Sequence, residues 1–311
     1  MSLKALPVTR VEIEEILLHY PAGKLKKFSL PKQGYANTNI FIVTDSGKYI
    51  LRLYRNQILE NILLEIKLLE LLSRYHFPSP HPLTDREGHI IWHTSRFPAV
   101  LFPWFPGRHP LRPGKYASQV ALILAGLHNV KEYKLFRKQP AVTTERCLNL
   151  PGDPEIIKNT DPGIIGLFRK TYGKVEKYLK LPLPQGIVHG DLFPDNILVH
   201  RGTVSAILDF ENYFTGPVLY DIAMTINGFC VKKGFYHNKL INGFLRAYQS
   251  VRKMSEEEHQ LLPVYIGWAA ISMAAWHLQN PAKRDRDRQK KRIRELLIRA
   301  EQWLKMPENR F

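Results

Sequence analysis

The sequence predicts an α+β fold of two lobes, a small strand-rich amino-terminal lobe and a larger, mainly helical carboxy-terminal lobe. Strand-type residues dominate 26–54, which favours β-structure. Apolar residues at helical spacing dominate most of the chain after residue 108. Between them, Phe102-Pro-Trp-Phe-Pro-Gly107 predicts a stiff connector. The predicted divisions are a lobe at 1–102, a hinge at 103–107 and a lobe at 108–311.

The amino-terminal lobe is predicted to contain one short helix, several strands and a second, longer helix. Thr9 is a suitable N-cap for the first helix. Asp45-Ser-Gly47 separates two strand-type runs and predicts a hairpin. Three prolines, at positions 78, 80 and 82, end the second helix. The predicted helices are 8–20 and 58–75, and the predicted strands are 40–44, 48–54, 90–92 and 97–102.

The carboxy-terminal lobe is predicted to be helical over 115–130, 163–179, 217–231, 237–252, 256–278 and 285–305. Its most apolar window, 263–278, spans sixteen residues. A membrane span needs roughly 20, so this window predicts a buried helix and no membrane partner. Cys147 and Cys230 lie far apart without a C-x-x-C, which indicates neither a disulfide framework nor a zinc site. With no signal peptide at the start, we expect a cytoplasmic protein.

The chain is strongly basic, with 45 Lys and Arg against 28 Asp and Glu, a net charge of +17. Much of the charge lies in 283–294. Such an excess attracts anions, ATP among them, and is also found in nucleic-acid-binding proteins. The simpler interpretation is a solvated helix face, with a buried stripe at Ile293, Leu296, Leu297 and Leu304.

The run Ile187-Val-His-Gly-Asp-Leu-Phe-Pro-Asp-Asn-Ile-Leu-Val199, followed by Ala206-Ile-Leu-Asp-Phe-Glu211, carries the chemistry. Asn196 follows Asp191 by five residues, and Asp209 follows Asn196 by thirteen. The protein-kinase signature H-R-D-L-x-x-x-N and the later D-F-G have similar spacing. The spacing therefore predicts a protein-kinase-like fold and an ATP-dependent kinase.

Each of the three residues has a predicted role in phosphoryl transfer. Asp191 is the candidate catalytic carboxylate, which receives the proton of the acceptor hydroxyl. Asn196 and Asp209 are the candidate Mg²⁺ ligands, because Mg²⁺ prefers one or two hard protein oxygens together with phosphates and water. The strands around Arg201-Gly-Thr203 predict a tight hairpin. His189 is expected to hold the catalytic loop by hydrogen bonds. Asp221 is expected to cap its own helix and to support the same loop.

The candidate nucleotide-binding residues lie in the amino-terminal lobe. Arg52, on the 48–54 strand, offers a fixed charge and a bidentate fork for phosphates, with Glu65 as its expected partner and Glu60 as second choice. The segment 33–40 is the candidate phosphate-covering loop. It has one glycine, so the side chains of Asn37, Thr38 and Asn39 are expected to help.

The signature block resembles the aminoglycoside phosphotransferase and choline kinase superfamily over about residues 27–280. The resemblance lies in His189-Gly-Asp-Leu-x-Pro-Asp-Asn196, Leu208-Asp-Phe-Glu211 and Tyr220-Asp-Ile-Ala223. Within that superfamily the chain is most similar to the bacterial homoserine kinase branch. The resemblance implies ATP and Mg²⁺ as cofactors, L-homoserine as acceptor on the way to threonine, and adenine contacts from the connector, where Phe102 and Trp104 lie.

The acceptor is expected to be small, because only eleven residues separate Asp209 from Asp221, too few for a peptide-docking segment. Glu211 departs from the homoserine kinase pattern and suits an ammonium group or a second metal. Asn227 and Arg246 are further candidate substrate residues. The alternatives are choline, ethanolamine or an aminoglycoside as acceptor. An alternative of another class is a nucleic-acid-binding or scaffold protein on a degenerate kinase fold. The sequence leaves the oligomeric state and the choice between ATP and GTP open.

Overall fold

The structure, a computed structural model, describes residues 8–30, 37–281 and 285–305. Its contacts divide the chain into two compact units, 1–107 with 205–211, and 108–204 with 212–311. The return of 205–211 to the first unit differs from the predicted domains. The Ile207 N–H donates to the carbonyl of Pro78 at 2.6 Å, and Asp209 forms an ion pair in the same unit.

The first unit is a five-stranded antiparallel sheet in the order β1-β2-β3-β5-β4, with two helices. Its core combines Ile40, Ile42 and Leu51 of the sheet with Ile13 and Ile16 of the first helix. Alternation of buried and exposed residues along β2 produces that apolar face. The elements are α1 (Arg10–His19), β1 (Leu25–Ser29), β2 (Thr38–Thr44), β3 (Lys48–Leu53), α2 (Leu59–Arg74), β4 (Ile91–His93) and β5 (Pro98–Pro103).

The second unit is mainly helical. Its helices are α3 (Ala117–His128), α4 (Thr144–Asn149), α5 (Pro154–Asn159), α6 (Pro162–Val175), α7 (Leu219–Phe229), α8 (Asn238–Gln249), α9 (Glu256–Gln279) and α10 (Arg286–Leu304). Its strands are β6 (Gln185–Val188), which pairs with β9 (Phe214–Pro217), β7 (Ile197–His200), which pairs with β8 (Thr203–Ile207), and β10 (Val231–Lys232), which pairs with β11 (Phe235–Tyr236). The first residues of β8 belong to this unit and the last to the other.

The predicted hairpin between β7 and β8 turns at Arg201 and Gly202, whose φ angles are 48° and 83°. A two-residue loop with both φ angles positive matches the twist of the strands that it joins. The predicted long helices are present with shifted ends, whereas α4, α5 and β9 were not predicted. Their apolar runs are too short to show a clear period.

Helix α9 is long and apolar enough to cross a membrane by composition, and 72% of the apolar window is buried inside the protein. It packs against α7 on one side and α10 on another, as the core helix of a globular protein does. On α10, Ile293, Leu296 and Leu297 are buried as predicted. Leu304, the last residue of the predicted stripe, is half-buried.

Candidate active site

The candidate catalytic loop, residues 189–196, follows β6 in the second unit. The buried carboxylate of Asp221 accepts hydrogen bonds from the backbone N–H groups of His189 and of Gly190, the latter at 2.9 Å. The Asp191 N–H donates to Nδ1 of His189 at 3.3 Å. One carboxylate and one imidazole thus fix the backbone immediately before Asp191. The two bonds to the Asp221 carboxylate are charge-assisted, which is the stronger class of protein hydrogen bond.

Asp191 and Asn196 are joined directly. The Asn196 side-chain amide donates to the backbone carbonyl of Asp191 at 2.7 Å and to its Oδ2 at 3.0 Å. These two contacts use the N–H donors of the amide and orient its oxygen, Oδ1, away from Asp191. An amide oxygen is the kind of hard ligand that Mg²⁺ accepts, so Asn196 fits the predicted metal role.

Two glycines let the loop approach its neighbours closely. Gly190 has a φ of 83°, and a Cβ there would lie 2.5 Å from the carbonyl oxygen of Asn212. A Cβ on Gly228, in α7, would lie 2.9 Å from the Phe193 ring. Any larger residue would displace the loop. Gly190 was part of the predicted signature, whereas the packing role of Gly228 was missed.

Asp221 is itself held by a residue that the sequence analysis missed. His128, the last residue of α3, lies with Nε2 3.5 Å from Asp221 Oδ2, and its Nδ1 lies 2.7 Å from the Tyr248 hydroxyl. Burial lowers the pKa of His128 despite the nearby carboxylate, so the ring is neutral at pH 7. The sequence did contain a signal for a buried His128: it lies four residues after Leu124, on a buried row of the helix.

One predicted role of Asp221 is wrong. Helix α7 begins at Leu219, and its N-cap position is Val218, which makes no side-chain cap. Asp221 lies within the first turn, and its carboxylate is occupied by the loop instead. The support of the loop that was predicted for Asp221 is what the structure has.

In the first unit, Arg52 lies between two carboxylates. Its Nη1 donates to Glu65 Oε1 at 2.9 Å and its Nη2 to Asp209 Oδ1 at 2.9 Å. Its Nε donates to the side-chain oxygen of Asn39 at 3.1 Å, across the β2–β3 pair. Glu65, the first-choice partner, therefore holds Arg52. All three sides of the guanidinium fork are used, which fixes its position.

The carboxylates next to Arg52 strongly favour the charged form of its guanidinium. Burial alone would lower the pKa of this guanidinium, but the carboxylates of Asp209 and Glu65 outweigh burial and hold the pKa well above its ordinary value. Asp209 has a φ of 65°, in the left-handed region that non-glycine residues seldom adopt. Such an outlier is typical of a functional position, and Asp209 follows the end of β8 where a metal ligand was predicted.

The other predicted nucleotide residues have separate local roles. The side-chain amide of Asn37 donates a hydrogen bond to the Glu211 carboxylate. The same carboxylate accepts a hydrogen bond from Gln57 Nε2 at 2.9 Å. Thr38 is buried and pairs with Leu53 across the sheet. Phe102 is buried in β5, whereas the ring of Trp104 is partly exposed with Lys48 Nζ 4.9 Å from its centroid. Residues 33–36 of the predicted phosphate-covering loop lie outside the described residues.

A cavity of about 480 Å³ adjoins the catalytic loop within the second unit. Its volume lies within the roughly 300–1,000 Å³ typical of small-molecule sites. The lining residues come from the loop and from α7, α9 and α10, with one from β10. They are Asp191, Phe193, Pro194, Asp195, Asn196, Asn227, Gly228, Val231, Met273, Arg292 and Arg299.

Of the three predicted substrate residues, Asn227 lines the cavity, and Arg246 and Glu211 do not. The Asn227 amide donates to the carbonyls of Ala223 and Ile266 and accepts from the Tyr236 hydroxyl at 2.7 Å. It is therefore a structural residue. Arg246 is exposed on α8 and lies outside the lining, because the buried face of α8 is formed by its apolar residues. Glu211 belongs to the first unit.

The sequence analysis missed Arg292, which it placed in the basic segment 283–294, and Arg299, which it did not single out within the helix predicted at 285–305. Their signal was periodicity. They lie on one helical row with Leu296 and Trp303, at spacings of four, three and four residues, and both of those apolar residues are buried. A basic residue on a buried row requires a local reason. The candidate Mg²⁺ ligands Asn196 and Asp209 belong to different units, and their shared site stays a prediction.

Comparison with known proteins gives a consistent result. A family profile described as "Phosphotransferase enzyme family" matches residues 27–260. A homoserine kinase of Chelativorans sp. is 29% identical over 269 residues, which cover 85% of this chain and 83% of that protein. Among solved structures, a microcompartment-associated aminopropanol kinase has a TM-score of 0.75 at 17% identity, covering 94% of this chain and 97% of its own. A spectinomycin phosphotransferase in complex with ADP and spectinomycin has a TM-score of 0.72 at 14% identity, with 96% and 99% covered.

Proposed function

The chain belongs to the phosphotransferase enzyme family and is a kinase with a hydroxyl group as acceptor, and we propose that it transfers the γ-phosphoryl group of ATP to the side-chain hydroxyl of L-homoserine. The protein-kinase-like fold predicted from the sequence is confirmed by its structural neighbours. The identity of the acceptor and of the nucleotide belongs to the proposal.

One observation carries the proposal: a carboxylate fixed by its surroundings lies in the wall of a cavity sized for a small molecule. Asp191 lines the cavity, Asn196 holds its Oδ2, and Asp221 holds the backbone before it. Fixing a reacting group in advance is the main contribution that a protein makes to phosphoryl transfer, because little covalent chemistry is required of it.

In the proposed reaction, the hydroxyl of homoserine donates a hydrogen bond to the Asp191 carboxylate. The hydroxyl oxygen forms a bond to the γ-phosphorus as the bond to the ADP oxygen breaks, and the hydroxyl proton passes to Asp191. General-base assistance of this kind is worth roughly 10²–10⁴-fold in rate. Asn196 and Asp209 are the residues that would hold Mg²⁺, which would neutralise the charge of the phosphates.

The nucleotide assignment is supported by the chemistry of the first unit and by relatives. Arg52 is buried, permanently charged and held rigidly by Glu65 and Asp209, as a residue that positions phosphates must be. The spectinomycin phosphotransferase that shares the fold was solved with ADP.

The acceptor is the more specific part of the proposal. Several bacterial relatives of 28–30% identity, matched over most of both chains, are homoserine kinases. The short interval between Asp209 and Asp221 also favours a small acceptor over a peptide. The relatives support a hydroxylated amino acid as the acceptor, and the short interval argues only against a peptide.

The test is release of ADP from Mg-ATP in the presence of single acceptors. We expect kcat/KM for L-homoserine to exceed that for choline, ethanolamine and kanamycin by at least tenfold. Turnover of kanamycin or choline without turnover of homoserine would disprove the proposed acceptor. Failure to turn over any of these acceptors, with no Mg-ATP binding by calorimetry, would favour a degenerate kinase fold.

A further inference from the structure

We propose that Arg292 and Arg299 of α10 form the site that recognises the carboxylate of the acceptor, so that the last helix selects α-amino acids over amino alcohols. The inference rests on the proposed function, because it concerns the same cavity. It adds a ligand class and two residues that the sequence motifs do not contain.

The first support is the position of the two arginines. They are separated by seven residues, two turns of helix, and therefore point from the same side of α10. Both line the cavity that also contains Asp191. At about 1.5 Å per residue, their Cα atoms are about 10 Å apart along the axis. Two long side chains at that spacing can both reach one small anion.

The second support is that neither guanidinium forms an ion pair with the described residues. Within residues 8–30, 37–281 and 285–305, no carboxylate oxygen lies within 4.0 Å of either guanidinium. Arg299 Nε is buried and has no hydrogen-bond partner in that part of the chain. A buried donor without a partner is destabilising, and a ligand oxygen would remove that penalty.

The third support is electrostatic. Burial lowers the pKa of Arg292, the positive charge of Arg299 lowers it further, and Glu295 opposes both. Arginine stays protonated in proteins, so the two like charges repel each other in a partly buried setting. An anion bound to both would relieve that repulsion, and a carboxylate matches the guanidinium fork.

The rest of the lining is consistent with a zwitterion. Asp191 and Asp195 supply negative charge on the catalytic loop, while Arg292 and Arg299 supply positive charge on α10. A polycationic drug would meet two unfavourable arginines. A quaternary ammonium group favours aromatic cages, whereas Phe193 is the aromatic member of this lining.

The test compares two ligands that differ only in the carboxylate, L-homoserine and 3-amino-1-propanol. Their dissociation constants are measured by calorimetry in the presence of Mg-ADP, for the wild type and for Arg292→Gln, Arg299→Gln and the double variant. We expect each single variant to weaken homoserine binding by about 10- to 100-fold, since hydrogen bonds between charged groups contribute about 1.5–3 kcal/mol. Binding of 3-amino-1-propanol should change less than threefold.

Arg288→Gln is the matched control, because Arg288 lies on the same helix with its side chain 86% exposed. It should leave both dissociation constants unchanged. Equal binding of the two ligands by the wild type would overturn the inference, as would equal losses for both ligands in the arginine variants. Binding is measured without turnover, so ADP release judges the proposed function separately. Normal homoserine turnover with unchanged binding in the double variant would remove this inference alone.

Discussion

At the scale of single residues, the candidate site depends on side chains that hold other side chains. Asp191 is positioned by Asn196, His189 and Asp221, and Asp221 is in turn contacted by His128. Such supporting residues bind no substrate in the proposed mechanism. They determine whether the carboxylate is in place before the acceptor arrives.

Gly190 offers a sharp test of this support. Gly190→Ala would place a methyl group 2.5 Å from the carbonyl oxygen of Asn212 at a φ of 83°. We expect it to lower kcat at least 30-fold, since a small displacement of a catalytic loop can cost about 100-fold. It should also destabilise the protein by about 3 kcal/mol, as judged by urea unfolding, because strain and overpacking add.

Gly202→Ala is its control. Gly202 has the same φ of 83°, but a Cβ there would meet nothing within 4 Å. The control should lose about 1–2 kcal/mol from backbone strain alone and keep its activity. Equal effects of the two substitutions would show that the contact with Asn212 does not position the loop.

Residues in recurring patterns could be predicted, and residues defined by tertiary packing could not. Glu65 could be chosen as the partner of Arg52 because a strand followed by a helix commonly pairs such charges in kinases. Arg292 was grouped with the basic run 283–294, and Arg299 was not singled out within the predicted helix 285–305. Only the cavity shows that these two face inward. The sequence could not show that the Asn227 amide donates to two backbone carbonyls and accepts from the Tyr236 hydroxyl.

At the scale of elements, local sequence rules account for several helix ends. Helix α1 begins with the predicted N-cap, Thr9, and has a complete capping box with Glu12. The Glu12 carboxylate also accepts from the backbone and hydroxyl of Ser95. It thereby connects α1 to the loop between β4 and β5.

This contact predicts a pH dependence. Hydrogen bonds from Ser95 and Thr9 lower the pKa of Glu12 from 4.5 to about 2. A carboxyl group with a lowered folded-state pKa contributes stability above its unfolded-state pKa and loses it as the pH falls through the folded-state pKa. The stabilisation should therefore be complete at pH 6 and decline between about pH 4.5 and pH 2.

The measurement is the urea midpoint of Glu12→Ala against wild type. At pH 6 the variant should be less stable by about 1 kcal/mol, the usual contribution of a cap, and the difference should shrink towards pH 3. Glu15→Ala, on the exposed part of the same helix, is the control and should show no such trend. A difference independent of pH would contradict the assignment to the carboxylate.

Elements with a clear period could be predicted, and short ones could not. The long helices and the β2–β3 hairpin follow from spacing and turn residues. The two-residue pieces β10 and β11, and the six-residue helices α4 and α5, are fixed by packing and caps. For α5, the cap is Asp153, whose carboxylate accepts from two backbone N–H groups.

At the scale of the whole molecule, each unit contains one part of the proposed chemistry. The first unit holds the ion-pair network of Arg52, Glu65 and Asp209. The second holds the catalytic loop and the cavity. Residue patterns and the 102–107 connector predicted two lobes, but they could not predict that 205–211 would join the first, because that depends on contacts distant in sequence.

Basic residues that contribute to the net charge of +17 occupy two kinds of position on α10. Arg288 and Arg294 are largely exposed, as a solvated helix face requires, whereas Arg292 and Arg299 face the cavity. The same helix thus combines a general basic surface with a specific site. Composition alone could not separate the two.

The most direct test of the account is formation of O-phospho-L-homoserine from Mg-ATP and L-homoserine, followed by ³¹P NMR for the wild type and for Asp191→Asn. We predict one product phosphomonoester per ADP with the wild type, and a rate at least 100-fold lower with the variant at unchanged thermal stability. A folded variant that forms the product near the wild-type rate, or a wild type that forms none, would contradict the account.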